Sequence, residues 1–348
     1  MLLEELTSIN GVAGDEGKVR EYIKSRIADY ADKITVDSMG NLIAFKKGKA
    51  SKHRIMLSAH MDEVGFMVTG YGEGGVLKFH QVGGVDARTL PGQRVLVGPD
   101  ELPGVICAKA IHLQEKEERN KNFREKSLYI DIGAERKEEA ERLAELGDYI
   151  SFDSDYVEFG DGYVKSKALD DRVGCAVMME AIKGDYDFDL YLSFTVQEEI
   201  GTRGSEIAAF TIEPDLAMIL EGTTCSDVPG VPEFEQSTLL GSGAALTIMD
   251  RTSYPDRGLV SYLYNLAKEK NIKVQYKKTT SGGNDAGKIQ RSTKGVKVAS
   301  VSVPCRYIHS PVSVMHMEDY KCVKALVLEA LQSFNDSRNL EKIMNGGI

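Results

Sequence analysis

Apolar and polar residues alternate along this chain with two different periods, and each period predicts a type of secondary structure. Near the N-terminus, apolar residues recur at helical spacing, at Val19, Tyr22, Ile23 and Ile27. This spacing predicts that the segment from Leu2 to about Asp32 is a helix, opened by GVAGDEGKVREYIKSRI, and Asp15 is a candidate for its cap. Short runs bounded by Gly, Lys or Asp follow in DKITVDS, NLIAFKK and RIMLSAH. They predict three strands.

Between about Thr69 and Gly162 the pattern changes. Gly-rich turns such as YGEGG, VGG and PGQ separate short runs such as VLKFH, RVLV and GVICAKAI. Closely spaced short strands with glycine turns are typical of a small β-barrel or β-sandwich. We therefore predict that residues 69–162 form a small β domain inserted into a larger one. Within it, the mixed-charge stretch from His112 to Lys126 predicts a solvated loop or helix.

After Lys165 helical and extended patterns alternate again. Helical runs such as DDRVGCAVMMEAI, LVSYLYNLAKEKN and DYKCVKALVLEALQSF are interspersed with the extended runs DLYLSFTV, DLAMIL, KVQYKKT and VKVASVSV. Such alternation predicts an α/β fold, in which helices cover both faces of a sheet. The predicted division is a first part of the large domain at 1–68, the insert at 69–162 and a second part at 163–348.

Composition narrows the class of protein. The 348 residues are 42% hydrophobic and 28% charged, which is typical of a globular protein, and the net charge of −10 argues against nucleic-acid binding. No stretch approaches the ~20 apolar residues of a membrane span, and the N-terminus does not resemble a signal peptide. The five cysteines are scattered without a CxxC pair. We therefore expect reduced thiols, a cytoplasmic location and no thiolate zinc site.

Acidic and histidine residues stand where apolar runs stop, at His60, Asp62, Asp170, Glu198, Glu199, Glu221 and His309. The carboxyl ends of strands in an open α/β sheet border its ligand crevice. Ionised carboxylates are also costly to bury without partners, so a repeated pattern of this kind is poorly explained by core packing. We therefore predict that these residues meet at one metal site.

Each pair at a strand end also has a plainer explanation. His60 and Asp62 are two residues apart on a strand, so they share a face, and Asp62 can orient a metal-bound His60. They could equally be ordinary residues of a surface strand. Asp170 can bridge two cations ~3.5–4 Å apart, whereas its neighbour Asp171 is a candidate helix cap, and either could take the capping role.

The adjacent Glu198 and Glu199 point in different directions at the end of a strand. One can hold a metal ion while the other accepts a proton from the attacking water and passes it to the leaving amine. The plainer alternative is a solvated turn. Of Glu221 and Asp227, we expect only one to contact a metal directly. We interpret His80, His112 and His316 as structural or surface residues, and His53 as ambiguous.

Taken together, the pattern is that of a two-metal hydrolase with a shared carboxylate. The predicted ligands are His60, Asp170, Glu199, Glu221 and His309. They give each of two ions one histidine, one terminal carboxylate and a share of Asp170, which leaves room for water as a catalytic site requires. Zn and Co both suit imidazole and carboxylate ligands.

The sequence resembles the glutamyl-aminopeptidase/cellulase M family of metallo-aminopeptidases, which includes the tetrahedral and deblocking aminopeptidases. The resemblance rests on six ordered motifs, SAHMDEVGFMV, KALDDRVG, TVQEEIGTRG, LEGTTCSDVPG, SGGNDAG and VPCRYIHSPV. It also covers GVAGDEGKVR near the N-terminus and LYIDIGA in the insert. It therefore extends over nearly the whole chain.

The resemblance implies a twisted mixed sheet flanked by helices, a PDZ-like β domain for dimerisation, two divalent metals and a dodecamer built from dimers. It implies that His60 and Glu221 hold one metal, that Glu199 and His309 hold the other, and that Asp170 bridges them. It further implies that Glu198 is the catalytic base and that Asp62 is the carboxylate behind His60. The implied substrates are peptides.

Two departures from the family pattern stand out. Glu221 replaces an Asp found in many members, which could shift the site and its metal preference. Asn284 stands where Thr is frequent, which bears on substrate positioning. The name cellulase does not indicate a glycosidase, because a glycosidase uses two carboxylates that flank the scissile bond. In this chain most carboxylates of the predicted site are assigned as metal ligands instead.

Three functions remain open from the sequence. The first is an aminopeptidase that releases N-terminal residues from peptides. The second is a two-metal deacylase of N-acyl amino acids. The third is a metal-stabilised assembly or carbohydrate-binding protein without activity, against which the intact Glu198 argues. The preferred N-terminal residue is open as well, and Arg306 gives only a hint of acidic or neutral preference. We expect apolar edges and patches on the insert to drive self-association.

Overall fold

A computed structural model describes residues 1–345 of the chain. The N-terminal part contains two helices and three strands: α1 (Leu2–Ser8), α2 (Gly17–Ile27), β1 (Lys33–Val36), β2 (Leu42–Lys46) and β3 (Arg54–His60). The helical spacing from Val19 to Ile27 falls within α2, as predicted, but the segment holds two helices rather than one, and the N-cap of α2 is Glu16 rather than Asp15. The chain between the helices contains a bridge between Val12 and Glu63 and a turn with Gly14 at φ +100°, and both interrupt the helix.

The inserted domain is a closed six-stranded antiparallel barrel. Its elements are β4 (Gly65–Tyr71), β5 (Leu77–Val82), β6 (Arg94–Val97), β7 (Leu102–Ala108), α3 (Lys116–Arg119), β8 (Leu128–Asp131), α4 (Lys137–Leu143) and β9 (Tyr149–Phe152). The edge of Phe66 contacts both Phe79 and Phe152 in the barrel core. Every barrel strand has two neighbours. The expected free strand edges are therefore not present in this barrel, and only its apolar patches remain.

The remaining elements complete the large domain. They are β10 (Val157–Phe159), β11 (Tyr163–Ser166), α5 (Leu169–Ala181), β12 (Asp189–Thr195), α6 (Arg203–Ile212), β13 (Leu216–Thr224), β14 (Ala244–Thr247), α7 (Arg257–Glu269), β15 (Val274–Lys277), α8 (Ala286–Ile289), β16 (Lys297–Arg306), β17 (Ser313–His316), α9 (Met317–Ser333) and α10 (Ser337–Met344).

The boundaries of the barrel differ from those expected at 69 and 162. Its strands begin at Gly65 and end at Phe152, whereas β10 pairs with β11 in the large sheet. Antiparallel pairing through the turn after Phe159 explains why β10 stays with the large sheet. Apart from these two boundaries, the predicted division of the chain into 1–68, 69–162 and 163–348 stays a proposal. Residues 346–348 lie outside the described part.

The large sheet has eleven strands among residues 1–345 and mixes both directions. Its centre consists of four parallel strands in the order β12, β3, β13 and β16, with antiparallel neighbours on both sides. Successive residues of β3 pack on opposite faces, Leu57 with α1, α2, α5 and α9, and Met56 with α6 and α8. The predicted α/β fold with helices on both faces is confirmed.

The parallel centre fixes the direction of the strand ends. Thr195 of β12 pairs with His60 of β3, and Glu221 of β13 pairs with Ser302 of β16. The carboxyl ends of all four strands therefore meet at one edge of the sheet. No helix in the described part of the chain is long and apolar enough to cross a membrane.

Candidate metal centre

The predicted site residues converge at the carboxyl edge of the parallel strands. His60 is the last residue of β3, Glu221 lies in β13, and Glu199 follows β12. Asp170 lies at the start of α5, and His309 follows β16 after a short turn. The side chains of this set form two groups of three, and in each group the potential ligand atoms lie within 4.8 Å of one another.

Asp170 belongs to both groups. In the first, His60 Nε2 lies 3.4 Å from Asp170 Oδ1 and 3.7 Å from Glu221 Oε2. In the second, His309 Nε2 lies 3.8 Å from Asp170 Oδ2 and 3.2 Å from Glu199 Oε2. One oxygen of the Asp170 carboxylate faces each histidine. This geometry suits a carboxylate that bridges two cations.

Gly222 allows Asp170 to approach β13 this closely. A Cβ atom at Gly222 would lie 2.8 Å from the Cβ of Asp170. Any larger residue would push the start of α5 away from the strand. The glycine after Glu221 therefore helps to bring the two carboxylates to one histidine.

The buried carboxylates of the site lack sufficient partners. Asp170 Oδ1 and Glu221 Oε1 are buried, and neither accepts a hydrogen bond from a described residue. Burial, together with the charge of Asp170, raises the pKa of both Glu199 and Glu221 well above the usual range. Divalent cations would supply the missing positive charge. The donor set of two imidazoles and three carboxylates fits such ions.

His60 is held in a fixed orientation. Its Nδ1 lies 3.0 Å from the backbone carbonyl of Asp62 and 3.6 Å from Asp62 Oδ1. Burial alone would lower the pKa of His60, but the nearby carboxylates of Asp170, Asp62 and Glu221 raise it well above its usual value. With Nδ1 facing Asp62, Nε2 is directed towards Asp170 and Glu221.

The carboxylate of Asp62 has a second set of contacts. Its Oδ1 and Oδ2 accept hydrogen bonds from the backbone N–H groups of Glu198 and Glu199, each at 3.0 Å. Asp62 thus links His60 to the turn that carries both glutamates. This contact was not anticipated from the sequence, because the two segments are more than a hundred residues apart.

Glu198 and Glu199 differ in their surroundings. Glu199 lies beside His309, whereas Glu198 belongs to neither group of potential ligands in residues 1–345. Burial, opposed in part by the charge of His60 and reinforced by that of Asp285, raises the pKa of Glu198 well above the usual range. A carboxyl group with a raised pKa is suited to hold a proton temporarily.

The structure shows the contacts of Asp171 and Asp227, the two carboxylates considered as alternatives to Asp170 and Glu221. Asp171 is fully buried and accepts hydrogen bonds from the N–H groups of His60 and Gly174, the second of which is a cap-like contact. Asp227 lies outside both groups and pairs with Arg306 through both carboxylate oxygens, at 2.6 and 2.9 Å. Arg306 is therefore neutralised by Asp227, which removes the hint that it selects acidic substrates.

The remaining histidines lie away from this cluster. His53 is 3.7 Å from Asp215 at the opposite end of the parallel strands, and His80 contacts Glu125 on the barrel surface. His112 is exposed in the loop before α3, and His316 caps α9 by accepting a hydrogen bond from the Glu318 N–H.

Some residues near the site were missed by the sequence analysis. Asp285 of the SGGNDAG motif is buried, accepts a hydrogen bond from Thr195 and influences the pKa of Glu198. Lys167 and Glu63 form a buried ion pair at 2.6 Å and line the cavity at the metal centre. The only sequence signal for these residues is that they fall within the motifs of the family resemblance.

Comparison with known proteins identifies the family. The model of the M42 glutamyl aminopeptidase family matches residues 40–326. The chain belongs to this M42 family. A putative aminopeptidase of Acetivibrio thermocellus is 41% identical over 95% of this chain and 97% of its own length. The lysyl aminopeptidase of Pyrococcus furiosus is 31% identical, with 94% and 96% covered.

Solved structures agree with this assignment. The TET aminopeptidase of the marine sediment archaeon Thaumarchaeota archaeon SCGC AB-539-E09 is 34% identical, with a TM-score of 0.94 and 98% of both chains covered. The Pyrococcus horikoshii TET1 peptidase, which can assemble into a tetrahedron or a large octahedral shell, is 34% identical. Its TM-score is 0.84, and 95% of this chain and 98% of that one are covered.

Membership of the M42 family confirms three predictions. The resemblance to the glutamyl-aminopeptidase family, the fold class and the assignment as a peptide hydrolase of the aminopeptidase type are all correct. The third hypothesis, a protein without activity, is thereby set aside. The individual roles of the site residues in this M42 chain remain predictions.

Proposed function

We propose that this M42 aminopeptidase hydrolyses the N-terminal peptide bond of peptides with the help of two divalent metal ions. His60, Glu221 and Asp170 would hold one ion, and His309, Glu199 and Asp170 the other. The observation that carries the proposal is the shared Asp170, whose two oxygens face two different histidines at 3.4 and 3.8 Å. A single-metal site would have no use for this arrangement.

When bound, the ions would supply Lewis-acid polarisation of the scissile carbonyl group and favour ionisation of water. The protein groups carry the proton. Glu198 accepts a proton from the attacking water and returns it to the nitrogen of the leaving amine. Its raised pKa supports this role, because a carboxylate of ordinary pKa would hold the transferred proton weakly at neutral pH. Asp62 orients both His60 and the turn that carries Glu198.

Chelation tests the metal requirement. Exhaustive dialysis against a chelator is expected to abolish hydrolysis of an aminoacyl-p-nitroanilide, and addition of Zn or Co should restore it. Imidazole and carboxylate ligands suit both metals, so the ion that restores most activity must be found by titration. Full activity in metal-free protein would refute the proposal.

A related deacylase is the main alternative within this reaction class. The proposed aminopeptidase should cleave the aminoacyl-p-nitroanilide and leave an N-acetyl amino acid intact. The opposite preference would favour the deacylase. A library of peptides with varied N-terminal residues would then identify the preferred N-terminal residue. The names of two relatives, a lysyl and a glutamyl aminopeptidase, differ in this residue.

We further propose that the barrel mediates dimerisation and that dimers build a dodecamer in which the active sites face an internal chamber. The assembly of the Pyrococcus horikoshii relative into closed shells supports this idea. Exposed apolar side chains on the insert support it as well. A cytoplasmic location is proposed on the basis of the five cysteines, all of which are free thiols.

A further inference from the structure

The turn after β12 has an unusual backbone. Gln197 and Thr202 both adopt the left-handed region, with φ of +57° and +53°, although neither is glycine. L-residues adopt this region at a cost, so such a turn persists only when its surroundings hold it in place. Because the turn carries Glu198, whatever holds it also determines where that carboxylate points.

Side chains from distant segments hold the backbone of this turn. Asp62 accepts hydrogen bonds from the N–H groups of Glu198 and Glu199. The N–H of Val196 donates to Asn41 Oδ1 at 3.0 Å. Four consecutive N–H groups, from Val196 to Glu199, are therefore bound by side-chain oxygens. In a regular strand such N–H groups would donate to the backbone carbonyls of neighbouring strands. Here side-chain oxygens take the place of those carbonyls.

Glu16 provides the remaining contact. Its Oε1 accepts hydrogen bonds from the N–H of Gln197 at 3.1 Å and from the N–H of Gly14 at 2.7 Å. The side chain is only 4% exposed and lies just before α2. Glu16 and Gln197 are separated by 181 positions in the sequence. The carboxylate thus connects the N-terminal segment to the left-handed residue that precedes Glu198.

We propose that Glu16 is a positioning residue that fixes the orientation of the Glu198 carboxylate through the backbone of Gln197. This inference rests on the proposed function, in which Glu198 transfers the proton. Glu16 itself touches neither the predicted metal ligands nor the reacting atoms. Its acceptor oxygen, rather than its charge, performs this role, because both of its hydrogen bonds are to Oε1.

Three substitutions separate these properties. Glu16→Ala removes the acceptor, Glu16→Asp keeps the charge but withdraws the oxygen by one methylene group, and Glu16→Gln keeps the oxygen but loses the charge. We expect kcat for an aminoacyl-p-nitroanilide to fall about 10²-fold in Glu16→Ala, the effect of a displaced catalytic group, with metal content and KM largely unchanged. Glu16→Gln should recover most of the lost kcat, and Glu16→Asp should recover less.

The neighbouring Asp15 provides a matched control, since its side chain is exposed in the same segment. Asp15→Ala should have the kcat of the wild type. An unchanged kcat in Glu16→Ala would overturn the proposal. A Glu16→Asp enzyme with a kcat at least as high as that of Glu16→Gln would also overturn it. These two variants can be compared even if Glu16→Ala fails to fold. A loss of activity that matches a loss of bound metal would also overturn it. A wild-type protein without peptidase activity would instead refute the proposed function.

Discussion

At the scale of single residues, the proposed mechanism gives different roles to the two adjacent glutamates that follow β12. A strand end can present neighbouring side chains in different directions, and here Glu199 faces His309 while Glu198 stays outside both potential ligand groups. Both carboxyl groups have raised pKa values because they are buried. A bound cation would lower the pKa of Glu199, its proposed ligand, and would leave Glu198 free to accept a proton. Substitutions of the two residues should therefore have different effects.

Replacing Glu198 with Gln should remove the proton transfer and leave the ligands intact. We expect kcat to fall by roughly 10²–10⁴-fold, the range for general acid–base catalysis. Bound metal, measured by elemental analysis of the purified protein, should equal that of the wild type. A variant that loses metal yet keeps a normal rate per bound ion would show that the roles of Glu198 and Glu199 are exchanged.

Replacing Glu199 with Ala should have the opposite effect. The change removes the oxygen that lies 3.2 Å from His309 Nε2, so one of the two groups loses its terminal carboxylate. We expect the variant to bind less metal per chain and to recover part of its activity at high metal concentration. Metal titration followed by activity measurement checks this. Full occupancy at the metal concentration that saturates the wild type would contradict the assignment.

Residues that were predicted from the sequence share one property. His60, Glu221 and His309 end or follow apolar runs, and this local contrast is visible in a single sequence. Glu16 and Asp285 carry no such signal. They reach the site only because the fold joins distant segments, as in the contact between Glu16 and Gln197 across 181 positions. The sequence alone therefore predicted the potential ligands and Asp62 behind His60, but not Glu16 and Asp285, which reach the site from distant segments.

At the scale of secondary-structure elements, regular periodicity was a good guide and irregular segments were not. The central strands β3, β12, β13 and β16 were predicted from their largely apolar extended runs, which are typical of parallel strands covered on both faces. The N-terminal segment was predicted as one helix, but Gly14 and the bridge between Val12 and Glu63 interrupt it. The residues with helical spacing, from Val19 to Ile27, do form α2, and the tertiary bridge replaces helix only in the segment before them.

Helix α9 contains a buried carboxylate whose titration should be measurable. Asp319 accepts hydrogen bonds from the N–H groups of Gly241 and Gly243 at 2.7 and 2.6 Å, and burial raises its pKa to about 6. In the unfolded chain the pKa of an Asp is about 3.9. Between these values the folded state binds more protons than the unfolded state, so this group's contribution to stability falls as pH rises.

The variant Asp319→Asn cannot undergo this titration. As pH is raised from about 4 to 7, we expect the wild type to lose stability relative to the variant, because only the wild type must ionise a buried group. The difference in Tm between the two proteins, measured by thermal unfolding at several pH values, should therefore shift in favour of Asp319→Asn. A constant difference across this range would mean that Asp319 titrates normally in the folded protein.

At the scale of the whole molecule, the barrel borders the candidate metal centre and is the proposed surface for association. Its Val64 and Phe152 line the cavity that contains Asp170, Glu199 and His309. Because every barrel strand already has two neighbours, strand addition at an edge does not explain self-association. Exposed apolar side chains provide the alternative. Leu143 and Leu146, at 48% and 63% exposed, stand close together in sequence at the end of α4.

Light scattering of the purified protein should therefore show a particle much larger than the 38.3 kDa chain. We expect replacement of both Leu143 and Leu146 with Glu to reduce the particle to smaller species, because charged groups would have to be desolvated in an apolar contact. Replacement of Val36, an exposed residue of β1 in the large domain, with Glu serves as the control and should leave the particle intact.

Activity on substrates of different size then tests whether the particle encloses its active sites. A closed particle should hydrolyse short peptides and spare folded proteins with accessible N-termini, while the smaller species formed by the Leu143 and Leu146 variant should lose this discrimination. A fully active monomer at micromolar concentration would refute both the assembly and the chamber. A stable dimer would leave the role of the barrel standing, and it would place the size limit for substrates in the cleft of each subunit.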